Sequence, residues 1–491
     1  MTRRTLYTLS LLYLSLPVAI FMLGWLPWPA GIPLAVVALC VTATAYRGMT
    51  GRVTFGPLWM ELLMAAVIAV WVVHAGIGGF VWQGWGDHDF RNTVFADLVS
   101  YPWPVVRGSE MLCYYFGFWL PAALVGKLTG SLMAGRLMEV VWCAWGIWLV
   151  VRLVFDLLGS VKLRTLWIVL LFGGVSILPF LLCTGVLGWY TTIDDEPSLL
   201  LPQIFSYSPI AWWINHTTSL YYIYNQMGAA WIGTLLVMGG SGRHNFQRNI
   251  PLVLSLMLLS CPFPAVGLLP AGAWLWLKGG CGRLLNVQTL AAVALALPVV
   301  LLFAGNPSVN RPELFAVHTP WECVKLVANI VMFVGCQAAV WFPFVWGSIR
   351  RDTAFWILFA TAVCALTVRV GSIGFDFASR ASVPMQLWLC VYVCRRADGW
   401  AAMTRPVKGA FLTVAVLCLA EPAAEWVRTD IKMATTPRRE WMRHTYATAF
   451  EFDVCRDNFI APLSPLSAAA TRHGLLRHTP GGAFGRAENM E

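Results

Sequence analysis

Two carboxylates, an imidazole and a guanidinium stand together in Asp87-His88-Asp89-Phe90-Arg91-Asn92, and Asp97 follows shortly after. A carboxylate at a membrane surface can act as general base toward a sugar hydroxyl. A pair spaced as Asp87-x-Asp89 can instead hold a divalent cation, Mg2+ or Mn2+, that balances a phosphate leaving group. The same spacing also suits the opening of a helix, where Asp is a common first residue. The residues alone leave these three readings open.

Three further groups of polar residues interrupt the apolar sequence. The first holds Asp194-Asp195-Glu196, Trp212-Trp213, Asn215-His216, Tyr221-Tyr222, Tyr224 and Asn225-Gln226. Aromatic faces beside amides and a histidine suit a sugar ring or a lipid headgroup, and equally an aromatic belt at the membrane interface. The acidic triplet reads as a solvated turn, with a metal site as the alternative. The second group offers Asn306, Arg311, Glu313, His318, Trp321 and Glu322, and the third Arg369, Asp376 and Arg380. Arginine at a membrane edge is costly and calls for a partner or a function. Two such arginines can grip the phosphate of a lipid carrier, while Asp376 and Arg380, four residues apart, can equally form a helix-stabilising pair.

The elements that must position these residues follow from composition. Of 491 residues 58% are hydrophobic and only 12% charged, about half the charged share of a soluble domain. That excludes an ordinary soluble enzyme, a disordered chain and a nucleic-acid-binding domain, in spite of the net charge of +10. The expected class is all-α, a polytopic transmembrane bundle. The 26 Trp fit many helix ends at headgroup level. The 13 Cys are scattered without a CxxC pair, which suggests neither zinc nor a disulfide framework.

Counting apolar runs gives about thirteen spans, several of them shorter than the roughly twenty residues that a straight crossing needs. The run 250–277 is interrupted by Cys261-Pro262-Phe263-Pro264 and reads as a hairpin of short helices or one kinked helix. The aromatic stretch 110–130 decides orientation. If it lies in the interface, seventeen basic residues fall on the cytoplasmic side against Asp156, Asp352 and Asp398, as the positive-inside rule favours. The N-terminus is then inside. The expected organisation is a bundle over 1–425 with outer loops 83–131, 189–225, 305–322 and 371–381, and an extracytoplasmic, partly disordered tail over 426–491. Most of the basic excess is then an orientation signal.

The segments Asp87-His-Asp-Phe-Arg-Asn-Thr-Val-Phe-Ala-Asp97, Tyr101-Pro-Trp-Pro104, Tyr114 to Lys127, Asn225-Gln226, Cys261 to Pro270 and Asp376 to Pro384 resemble GT-C-type integral membrane glycosyltransferases, in particular a bacterial group of GT-C-like architecture. The resemblance runs in outline over 80–430. It implies a sugar donor carried on polyprenyl phosphate, a lipid, glycan or protein acceptor, and a first outer loop with juxtamembrane helices that supplies the acidic catalytic residue. Here that is Asp87 or Asp89. It also implies a multi-pass protein of the bacterial inner membrane whose active site faces outward. Arg369, Arg380, Arg311 and His318 would hold the phosphate, with His88, Arg91, Asn92, His216, Gln226 and Asp376 around the substrate.

Two other function classes stand beside this one. A transporter or flippase would place ionisable groups at the bilayer midplane on broken helices, and 250–277 supplies a break. A lipid-glycan polymerase or ligase would share the donor but work through Arg311, Arg369 and Arg380.

Overall fold

A computed structural model describes residues 1–83, 87–185, 213–242, 246–278, 286–306, 312–314, 318–370, 376–437 and 446–462. Twenty helices make up most of this chain: α1 (Arg3–Trp25), α2 (Trp28–Ala45), α3 (Leu58–His74), α4 (Asp87–Ser100), α5 (Leu120–Thr129), α6 (Leu132–Leu158), α7 (Leu163–Leu171), α8 (Ile177–Gly185), α9 (His216–Tyr222), α10 (Tyr224–Ser241), α11 (Ile250–Met257), α12 (Pro262–Leu277), α13 (Val287–Ala304), α14 (Pro320–Gln337), α15 (Phe342–Ile349), α16 (Thr353–Ala365), α17 (Asp376–Ala381), α18 (Val383–Asp398), α19 (Arg405–Cys418) and α20 (Ala420–Thr435). Among the described residues there are also five strands of two or three residues: β1 (Val106–Arg107), β2 (Glu110–Leu112), β3 (Glu313–Leu314), β4 (Val368–Arg369) and β5 (Ile460–Pro462).

Among the described residues five helical segments are long and apolar enough to cross a membrane: α1, α2, α6, α13 and the continuous stretch Arg405–Thr435 formed by α19 and α20. The bent pair Pro320–Gln337 and Ala339–Ile349 makes a sixth when taken as one broken span. Helices α3, α12, α16 and the stretch Phe116–Thr129 are apolar but shorter. Phe116–Thr129 would reach about 21 Å, less than the roughly 30 Å hydrocarbon core.

Helix ends follow local chemistry. The Thr2 hydroxyl accepts from Thr5 N–H (3.1 Å) to open α1, and Ser131 does the same for α6 through Ala134 N–H (3.2 Å). Gly159, at φ 72°, closes α6 in the left-handed conformation that a side chain resists. The break at Cys261-Pro262 is a turn between the short helices α11 and α12, which pack side by side.

Long helices separate two polar ends. At one, Arg3 Nε meets Asp156 Oδ1 at 2.7 Å, Lys162 and Arg164 meet Asp398, and Asn249 Nδ2 donates to the Ala45 carbonyl. This is the end of the basic loops. At the other end of α1, the Trp25 ring packs on Trp103 and Phe116, 5.3 and 4.8 Å away. Here α4, α9, α17 and the chain around 110–119, 259–263 and 305–306 converge. Gly117 N–H donates to the Leu259 carbonyl, and Asn306 Nδ2 to the Cys113 carbonyl.

The C-terminal region joins this same end. The expected boundary at 425/426 falls inside α20, which buries Glu421, Glu425 and Arg428. After the next gap in the described residues, 446–462 returns to the bundle. Strand β5 pairs antiparallel with β2, Met111 opposite Ala461, in a three-stranded order β1-β2-β5. Strands β3 and β4 pair separately, with Glu313 opposite Arg369.

Candidate functional site

Helix α4 opens on Asp87, with Asp89 in the same turn, where carboxylates are favoured by the helix dipole. Almost the whole helix is buried beneath neighbouring loops, but the Asp87 side chain keeps 44% of its surface. Arg91, one turn on, is nearly sealed at 2% and brings Nη2 to 3.0 Å from Asp87 Oδ2. Its guanidinium lies 5.6 Å from the centre of the Tyr224 ring, within range of a cation–π attraction. Burial opposes the Arg91 charge, and Asp87 with the surrounding tyrosine hydroxyls more than restores it. The Nε and Nη1 atoms of Arg91 have no hydrogen-bond partner.

His88 also faces Tyr224. Its Nε2–H donates to the Tyr221 carbonyl at 2.6 Å, and its ring lies 5.7 Å from that of Tyr224. Burial and the charge of Arg91 push the imidazole down to about 3, so it is neutral at physiological pH and serves to fasten α4 to α9. Gly76, at φ 84°, allows this approach: a Cβ there would stand 3.0 Å from His88 Cε1 and 2.6 Å from Gln83 Cγ.

A second guanidinium stands in the same neighbourhood. Arg380 is 5% exposed and paired with Asp376 one turn before it, so the i,i+4 pair is real. Tyr114 and Tyr115, with ring centres 3.8 Å apart, feel the charges of both Arg91 and Arg380. The buried Tyr114 and the partly buried Tyr115 are a wall common to both arginines, and desolvation above all raises both hydroxyls and keeps them protonated. Arg380 Nε also has no partner. Two buried guanidiniums with spare N–H groups beside hydroxyl donors can hold a phosphate.

The remaining expected residues are distributed as follows. Asp89 is buried near the Tyr446 hydroxyl and Asn92 is buried in α4. His216 is also buried, where its Nδ1–H donates to the Val169 carbonyl at 2.6 Å and ties α9 to α7. Gln226 is fully buried in the first turn of α10. Arg369 is exposed on β4, and His318 is exposed before α14, its own N–H donating to Glu322. These two therefore lie on the solvent side, outside the buried wall. Arg311 and the triplet Asp194-Asp195-Glu196 lie outside the described residues.

The segment 446–462 roofs α4. Phe459 packs on both Phe90 and Tyr114, at 5.6 and 4.4 Å, and Phe452 packs on Phe90 at 4.8 Å. Asp97 accepts from Ala449 N–H (2.8 Å) and the Thr448 hydroxyl (3.0 Å). Burial pushes the Asp97 carboxyl up to about 7 against those hydrogen bonds. Tyr114 and Tyr115 stand in the sequence only as the start of the resembling segment Tyr114 to Lys127, and Phe459 carries no signal, since an aromatic residue beside a membrane span is ordinary.

Among the described residues no three His, Cys, Asp or Glu side chains converge on one point. Asp87 is moreover engaged by Arg91 and Asp89 is buried. Set against models of protein families, curated proteins and solved structures, the chain matches none.

Proposed function

We propose that the chain is a GT-C-like membrane glycosyltransferase. It would move a sugar from polyprenyl phosphate to a lipid, glycan or protein acceptor at the outer leaflet of a bacterial inner membrane. The observation that carries this reading is the half-exposed Asp87 paired with the buried Arg91, which shares the tyrosine wall with a second buried arginine, Arg380, both arginines keeping unpartnered N–H groups. In this reading the shorter apolar helices complete about thirteen passes, with the N-terminus inside and the Asp87 end outside.

The reaction is an inverting displacement. Asp87 takes the proton from the acceptor hydroxyl as that oxygen bonds to the anomeric carbon. The bond from that carbon to the phosphate oxygen breaks, and polyprenyl phosphate leaves with the electron pair. Arg91 and Arg380 stabilise the charge that develops there. Burial of Asp89 favours Asp87 as the base. No step is routed through a cation.

The test is transfer of a labelled polyprenyl-phosphate-linked sugar by the full chain in proteoliposomes. Asp87→Asn should abolish covalent product at unchanged abundance; full activity in both Asp87→Asn and Asp89→Asn would remove the mechanism. A second reading, a transporter or flippase, draws support from one observation. Glu421, Glu425 and Arg428 are buried on one face of the candidate span Arg405–Thr435, where ionisable groups are expensive and commonly functional. Substrate uptake without covalent product would favour it.

A further inference from the structure

Asn225 and Gln226 occupy the first turn of α10, directly after Tyr224, whose ring faces Arg91. Asn225 is 1% exposed and Gln226 0%. Neither the carbonyl oxygen nor the NH2 group of either side chain has a hydrogen-bond partner. Asn249, another buried amide, is half satisfied: its Nδ2 donates to the Ala45 carbonyl at 2.8 Å while its Oδ1 has no partner. Four idle polar atoms on adjacent residues are costly, because a buried amide loses its water without recovering a bond. Apolar residues of the same size would serve packing better, so the pair calls for a polar occupant.

The chemistry of that occupant is narrow. Two amides on successive helical residues offer donors and acceptors and carry no charge, which suits hydroxyl groups. A phosphate would use only the donors, and the guanidiniums already supply those. We infer that Asn225 and Gln226 form the sugar-recognising half of the site, reading the hydroxyls of a glycosyl group whose phosphate is held by Arg91 and Arg380. This rests on the transferase reading above and adds to it which residues select the sugar.

The experiment measures binding to the purified full chain in nanodiscs. The probes are polyprenyl monophosphate and a panel of polyprenyl phosphates carrying a hexose or a pentose. The wild type should bind at least one glycosylated form more tightly than the bare phosphate. Asn225→Leu and Gln226→Met, close isosteres, should each cut that preference by roughly tenfold while leaving affinity for the bare phosphate unchanged. Both should melt at or above the wild-type temperature without ligand, since they remove idle buried amides. Where an isostere does not fold, Asn225→Ser and Gln226→Asn carry the same comparison. Equal wild-type binding of bare and glycosylated phosphates, or a preference the variants leave intact, overturns the inference and spares the phosphate grip. If no polyprenyl phosphate binds at all, the transferase reading falls and takes the inference with it.

Discussion

Arg91 holds Asp87 through one guanidinium nitrogen, Nη2, at 3.0 Å, and keeps Nε and Nη1 without a partner. The arginine is sealed and the carboxylate is half open, so the pair presents its acid outward and its unused donors inward. A pair built only to stabilise a helix would leave both groups in solvent, where it is worth little.

Arg91 and Arg380 should both be needed to hold polyprenyl phosphate. Arg380→Gln removes charge-assisted bonds worth about 1.5–3 kcal/mol, which is roughly a ten- to hundred-fold loss of affinity. Titration of the variant with polyprenyl phosphate, beside wild type, gives the number. Binding within twofold of wild type would place the phosphate elsewhere.

Arg369 and His318 should matter far less. Both are exposed, on β4 and before α14. Transfer by Arg369→Ala and His318→Ala is expected within about twofold of wild type, since surface substitutions are mostly mild. A strong loss in either would bring the exposed loops into the site.

Docking of 446–462 should depend on pH through Asp97. Its folded carboxyl titrates at about 7, above the ordinary 3.8. Between those values the folded form keeps a proton that the unfolded form has lost. Stability therefore is greatest at or below about pH 4, falls as pH rises to about 7, and is level above. Hydrogen-exchange protection factors across 446–462, each corrected for the intrinsic base-catalysed rate at its pH, should be higher at pH 5 than at pH 8, and Asp97→Asn should flatten the difference. An unchanged slope in the variant would assign the effect to another group.

Gly76→Ala should loosen α4 from α9. The substitution costs about 1–2 kcal/mol for the left-handed backbone alone, and its Cβ would crowd both Gln83 and His88. Lower thermal stability together with reduced transfer is expected. A variant that melts like wild type would show that the turn can relax without moving His88.

Some of this arrangement is legible in the sequence and some is not. The low charged fraction identifies the helical membrane class because a bilayer replaces the polar coat. Spacing offers Asp376–Arg380, since residues four apart share a helix face, and the same spacing was the available signal for Asp87–Arg91. Arg369 looks equal to Arg380 in sequence, and only the pairing of β3 with β4 sets it at the surface. The return of 446–462 to β2 is also illegible, because pairing across some 350 residues depends on where the bundle delivers each strand. Glu421, Glu425 and Arg428 continue the face of an apolar run that ends near 422. Their i, i+4, i+7 spacing was the available signal that the helix, still buried, runs on to Thr435.

The most direct test of the central claim is a structure of the full chain with polyprenyl phosphate bound. The account predicts the phosphate oxygens within about 3 Å of guanidinium nitrogens of both Arg91 and Arg380, beside Tyr114 and Tyr115, with Asp87 facing the open side where an acceptor would enter. A headgroup at the opposite, basic end, or against Arg369 with Arg91 and Arg380 untouched, would contradict it.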